Sequence, residues 1–339
     1  MTKYNSLMKS ALATAALGCI SLFLFPGIAT AQNAKQKSAI SLDLTMGVLS
    51  GGATELIYDP NVDGSSYKMS ELDWASRPLV YWGLTANFNL SAGFYASFAV
   101  KSGISGKTGY MQDSDWQNWD GVKTNFSEAD SYTDQALILD IEGGYDFNIA
   151  DSLKVGPFLK LGYLNFQWSA RNGYLQYAPE YYPTTDSSDN YVYGPYTPIS
   201  GNTPVIYVSG IGIVYQQSCF YPSIGLRATY TPWRRLTLTA SFAVAPSVSM
   251  TETDNHVERG IIFTSTMNGG IVLEPRLVLR YQLSRVTTFG IDVSYIKIEN
   301  LRGDLGATDS YGNDLGTDFN GAAASFEAIE GGVTLSMKL

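Results

Sequence analysis

A 339-residue chain with a net charge of −9 and 16% charged side chains is too acidic for a nucleic-acid partner to be expected. Beyond its first thirty residues no run of eighteen apolar residues occurs, which excludes transmembrane helices there. Cys219 and His256 are the single cysteine and single histidine of that portion, which excludes an intrachain disulfide and argues against a structural zinc site.

Lys3 and Lys9 precede a nearly continuous apolar or small stretch, residues 10–28, and Ala29-Thr30-Ala31 fits a signal-peptidase site. Residues 1–31 are therefore expected to be an export signal and 32–339 one domain. That domain reads as all-β, because it is rich in glycine and aromatics and its apolar residues alternate with small or polar ones instead of forming runs. The pattern predicts a ten-stranded antiparallel transmembrane β-barrel with long extracellular loops, embedded in outer-membrane lipid and monomeric.

The first strand begins near Ala39 and alternates Leu42, Leu44, Met46 and Val48. A return strand runs from about Lys68 to Phe88, and a third from Phe94 to Val100. A long loop is expected over 101–134, holding Asp113, Asp115, Trp116 and Trp119. Strands four and five, 135–147 and 155–171, flank a short turn, and a Tyr/Pro-rich loop covers 172–204. Strand six spans 205–230 and strand seven runs into Met250, with Asp254-Asn255-His256 in the next outer loop. Strand eight ends near Leu283, strand nine covers 288–301, and a Gly/Asp-rich loop, 302–321, precedes the last strand, 324–339. Trp74, Trp116, Trp119, Trp168 and Trp233 are expected as rim anchors.

Two pairs stand out. Asp254 and His256 are two residues apart, so in extended chain they project to one side and the carboxylate can orient the imidazole. Asp113 and Asp115 repeat that spacing with two acids. In a ring of ten strands the two outer connections lie almost opposite each other. The pairs together could hold and activate a water.

At this point the chain resembles the omptin family of outer-membrane proteases. The landmarks are Leu49-Ser-Gly-Gly-Ala-Thr-Glu-Leu-Ile-Tyr58, Ser70-Glu-Leu-Asp-Trp74, Gln112-Asp-Ser-Asp-Trp116, Trp168-Ser-Ala-Arg-Asn-Gly173 and Asp254-Asn-His256, in that order. The resemblance implies an aspartic-type endopeptidase with Asp113, Asp115, Asp254 and His256 as catalytic residues, and no metal. It implies basic peptide substrates read by Glu55 and Glu252, with Glu128 and Tyr177 along the groove. Three departures accompany it. Asp130-Ser131-Tyr132 stands where the family has Ser-x-His. Asn165 and Gln167 replace charged residues of the lipopolysaccharide patch, which argues against lipopolysaccharide as a required activator. Leu339 replaces a terminal Phe. The alternative expectation is an inactive barrel of the same kind, serving as an adhesin, a plasminogen-binding protein or a small porin.

Overall fold

The structure is a computed structural model that describes residues 39–60, 66–118, 121–178, 184–185, 191–192 and 197–339. The expected export signal and Trp119 lie outside the described residues.

Ten strands form the wall. They are β1 (Ala39–Pro60), β2 (Ser66–Asn89), β3 in two segments (Phe94–Gly103 and Gly106–Asp115), β4 (Asn125–Tyr145) and β5 (Leu153–Tyr177). Then follow β6 (Ile206–Trp233), β7 in two segments (Leu236–Ala245 and Val248–His256), β8 (Ile261–Gln282), β9 (Thr287–Asp309) and β10 (Asp314–Lys338). Each pairs antiparallel with its sequence neighbours. The ring closes where β10 meets β1, as at Thr45↔Thr334. No open edge is left for another chain to extend.

The alternation read in the first strand is what curls the sheet. Leu44 and Met46 stand outside, 54% and 57% exposed, whereas Leu49 points inward and is 1% exposed. Val80, Leu84, Phe98, Leu226, Leu279, Ile291 and Leu335 continue the outer belt. An apolar surface of this extent on a closed barrel is the face a bilayer solvates.

Apart from the divided β3 and β7, the strands are 21 to 28 residues long, and about 9–11 residues suffice to cross a bilayer. About half or more of each of these strands therefore continues past the belt, at the end opposite the short turns. This corrects the expected loops. Residues 101–134 are mostly paired strand, so Asp113 and Asp115 sit on β3 rather than in a loop. Asp254 and His256 end β7, and 302–321 is the paired end of β9 and β10 around a turn at 310–313. In the 172–204 segment β5 persists to Tyr177. Above the belt the outward face mixes polar residues such as Asp73, Lys107 and Gln112 with apolar ones such as Ile206 and Phe319, so the period-two contrast fades although pairing continues.

The interior is layered. Near the short turns the lumen holds ion pairs: Lys101 with Glu330, Lys160 with Asp140 (2.9 Å) and Glu274 (2.6 Å), and Arg227 with Asp146 (2.6 Å) and Glu142 (3.9 Å). Arg276 and Arg280 grip Asp292 (3.0 and 2.7 Å), and Arg280 also approaches Asp43 (3.6 Å). Above them an apolar septum of Leu49, Leu79, Leu164, Phe166, Met250, Met267 and Ile298 fills the bore, each at most 3% exposed. Trp74 and Trp168 lie on top of it rather than at the rim, 1% and 0% exposed. Burial inside the barrel overrides their preference for an interface. Trp233, at 69% exposure among the short turns, does occupy an anchor position.

Candidate active site

The aromatic layer is a floor. Tyr215 stacks on Trp74 (centroids 5.3 Å apart) and on Trp168 (5.7 Å). Trp168 Nε1 donates to Ser76 Oγ at 2.9 Å, and Ser76 and Thr108 both bond Thr133. This buried hydroxyl network pins the ring whose face supports the site. Ser131, within the departure from Ser-x-His, is fully buried and donates to the Ala75 carbonyl at 3.0 Å. Its neighbours Asp130 and Tyr132 serve the wall, one paired with Lys107 (2.7 Å), the other under Arg171 (4.5 Å).

Over the floor, register places the acids. Glu55 pairs across to Leu72 and Leu72 to Asp113, which sets Glu55 and Asp113 on one inward-facing row. Asp115 lies two residues further up β3, opposite Ser70. On the facing wall Glu252 and Asp254 oppose Gln217 and Tyr215 of β6. All these groups stand above the lipid-facing belt.

The second pair is joined directly. His256 Nε2 meets Asp254 Oδ2 at 2.7 Å, with Asp254 1% exposed and the imidazole side chain 13%. A carboxylate accepts, so Nε2 carries the hydrogen and the lone pair of neutral His256 is on Nδ1. Phe263 packs edge-on against the ring, 5.4 Å between centroids. Arg259 Nη1 sits 3.5 Å from Nδ1. Gly260, at φ +62°, occupies the left-handed region that turns the chain back toward β8.

The acid pair is held differently. Ser70 Oγ donates to Asp113 at 3.3 Å, and Asn125 Nδ2 to Asp115 at 3.2 Å. Burial, and then the charges of Asp115 and Asp254, push the Asp113 carboxyl well above its ordinary range, while Ser70 and Arg259 oppose the rise. Asp115 is raised by burial against the pull of Ser70, Asn125, Arg259 and His256. Groups on opposite walls thus lie within each other's fields.

The two glutamates share one chamber with different partners. Glu252 accepts from the Tyr215 hydroxyl, from Gln217 at 3.1 Å and from Ser265 at 2.9 Å, and burial still carries it up to about 7. Glu55 is 3% exposed, and its Oε2 has no hydrogen-bond partner. Burial, then the charges of Asp254, Glu252 and Asp113, raise it well above the usual range. Asp254 Oδ1 is likewise buried without a partner. Each of these two oxygens lacks the hydrogen bond that burial normally demands of a polar atom. Among the described residues no group of three or more His, Cys, Asp and Glu has metal-holding geometry.

Six of the eight candidate residues are therefore in or over one chamber: Asp113, Asp115, Asp254, His256, Glu55 and Glu252. Tyr177 stands beside it, 43% exposed, and burial and the charges of Asp113 and Asp115 push its phenol up to about 12. Glu128 is not brought in. It shares the outer face with Gln112, which donates to it at 2.7 Å, while the next pair, Asp113 and Ser127, faces inward. Residues that pattern reading missed are Ser70, Asn125, Arg259 and the Tyr215–Gln217–Ser265 cradle of Glu252. Arg259 alone had a signal, a cation three residues after the lone histidine.

Residues 36–339 match the Omptin family. The chain belongs to the omptin family. It is similar to the outer membrane protease OmpP of Escherichia coli K12, 22% identical over 283 residues, covering 84% of this chain and 85% of that one. It also superposes on the crystal structure of the outer membrane protease OmpT from Escherichia coli with a TM-score of 0.75, at 19% identity, covering 92% of this chain and all of that one. That likeness carries the fold. The omptin relatives are outer-membrane proteins, in keeping with the apolar belt and closed ring of this chain.

Proposed function

We propose that this omptin is an outer-membrane endopeptidase that hydrolyses peptide bonds beside Arg or Lys, its long-strand end facing the cell exterior. The observation that carries the reading is the 2.7 Å Asp254–His256 bond, which leaves Nδ1 as a base in a chamber shared with Asp113 and Asp115. A water held by Asp113 attacks the scissile carbonyl as Nδ1 takes its proton. The imidazolium, stabilised by Asp254, then gives that proton to the leaving amine as the C–N bond breaks. Asp115 supports Asp113. No step calls for a metal, a lipid activator or a covalent intermediate, and every residue comes from one chain.

Glu55 and Glu252 fit a basic side chain. A guanidinium or ammonium would meet the unpartnered Oε2 of Glu55 and restore the ionised form that burial disfavours. Tyr177, half out in the opening, fits a contact with the peptide beyond the cut. Glu128, facing outward, is left out of this reading.

The test is cleavage of quenched fluorescent peptides carrying Arg-Arg or Lys-Lys by the refolded barrel in EDTA, with and without lipopolysaccharide. Hydrolysis lost by at least about 10²-fold in both His256→Ala and Asp113→Ala is expected on removing a general base or its water. A folded barrel that cleaves neither peptide, or cleaves both regardless of these substitutions, overturns the reading in favour of an adhesive role.

A further inference from the structure

The lumen beneath the septum is a second chamber, of about 680 Å³, reaching to the short turns. Its charges divide into two sets. All seven carboxylates that line it are engaged by the five cations of the ion-pair layer described above. Five further cations, Lys154, Arg234, Arg235, Arg285 and Lys338, line its mouth, and among the described residues none has a carboxylate within ion-pair distance. Carried by the turns at 234–235 and 284–286, the start of β5 and the end of β10, they converge on one opening. Ten of the 22 lysines and arginines of an acidic chain line this one chamber.

These cations are not an anchoring girdle. The outer surface at that end carries Phe147, Tyr230, Trp233 and Tyr281, 44–69% exposed, which suits a membrane interface. The cations line the lumen instead, together with Thr231, Thr237 and Gln282. A concave, low-dielectric cup with one sign of unbalanced charge concentrates field on its opening. Arginine forks match phosphate oxygens bidentately.

We propose that this cup binds a phosphate-bearing anion, either a soluble one or the headgroup of an acidic phospholipid reaching in from the inner leaflet. The site is separated from the hydrolytic chamber by the septum, so its occupancy is read without reference to peptide cleavage.

The experiment uses the full refolded barrel. Calorimetric titration with tripolyphosphate in zwitterionic detergent is paired with measurement of lipid retained after extraction from phosphatidylcholine nanodiscs with and without phosphatidylglycerol. Saturable, salt-sensitive tripolyphosphate binding assigns a soluble ligand, and selective retention of phosphatidylglycerol assigns the headgroup. In either case Arg234→Ala/Arg235→Ala/Arg285→Ala weakens the interaction at least about tenfold, as loss of charge-assisted hydrogen bonds requires. Lys154→Ala/Lys338→Ala provides a second test should the triple variant not refold. Binding of neither probe, or equal binding by a folded variant, overturns the proposal.

Discussion

Asp254→Asn separates what the site does for chemistry from what it does for the fold. Asp254 is 1% exposed, bonds Nε2 of His256 through Oδ2 at 2.7 Å, and leaves Oδ1 without a partner. Asparagine can keep its carbonyl on Nε2–H, so the ring orientation survives while the negative charge is lost. In the proposed hydrolysis His256 becomes an imidazolium, and that is when the charge matters. A bond to a charged group is worth about 1.5–3 kcal/mol against about 0.5–1.5 for a neutral one, so the exchange costs about 1–1.5 kcal/mol, or roughly 5- to 12-fold in rate, and far more if the amide flips and imposes the wrong tautomer. The expected result is a fall in kcat of at least about 5-fold, reaching about 10²-fold or beyond where the amide imposes the wrong tautomer, with KM for an Arg-Arg peptide within a few-fold. Stability should not follow activity down. Removing a buried carboxylate with an unsatisfied oxygen relieves desolvation and repulsion, so the heat-modifiable gel transition should stay or rise. A variant that cleaves within threefold of the parent, or one whose lost activity tracks lost folding, would refute this reasoning.

Three further outcomes are expected. Glu252 has its folded pKa raised from 4.5 to about 7, so the stability it contributes is fully present below about 4.5 and lost as pH rises through about 7; urea midpoints should fall across that window and do so less in Glu252→Gln. Arg259 holds down the pKa values of Asp113 and Asp115, so Arg259→Ala should move the acidic limb of the kcat/KM–pH profile to higher pH, and an unmoved limb would contradict the placement of its charge. The septum should block ions: planar bilayers containing the parent show no open-channel steps, whereas Met250→Gly/Met267→Gly, at two residues of 0% exposure, admits them.

Sequence pattern located the ring because each strand crossing the bilayer must be apolar outside. Leu42, Leu44, Met46 and Val48 carry that signal without ambiguity. It stopped at the belt, since Gly106–Asp115 is strand with water outside and acids inside, and nothing in such a segment favours strand over polar loop. The Asp254–His256 pair was legible because spacing alone puts both groups on one face. Ser70 and Asn125 were not, because they reach Asp113 and Asp115 through cross-strand register, which follows from bulges and turn lengths more than from local pattern. Trp74 and Trp168 misled for a related reason: aromatic residues above a membrane strand read as anchors, and only the inward parity of their positions shows them to be floor.

The long strands also explain how so many acids can share one chamber. A loop carrying Asp113 could swing outward to relieve burial and repulsion, trading site geometry for hydration. On β3 each carboxylate is fixed between paired neighbours, Asp113 against Leu72 and Ser127 and Asp115 against Ser70 and Asn125, while Trp74, Trp168 and Tyr215 close the floor. Relief must then come from protonation or from a bound cation. Either route ties the charge state of the chamber to what occupies it: under the proposed function an arriving Arg or Lys side chain would favour ionised Glu55 and Glu252, and their ionisation would in turn hold the cation. A rigid wall that denies the acids an escape to solvent is therefore part of how such a site would select its substrate, and extending the barrel beyond the membrane supplies that wall.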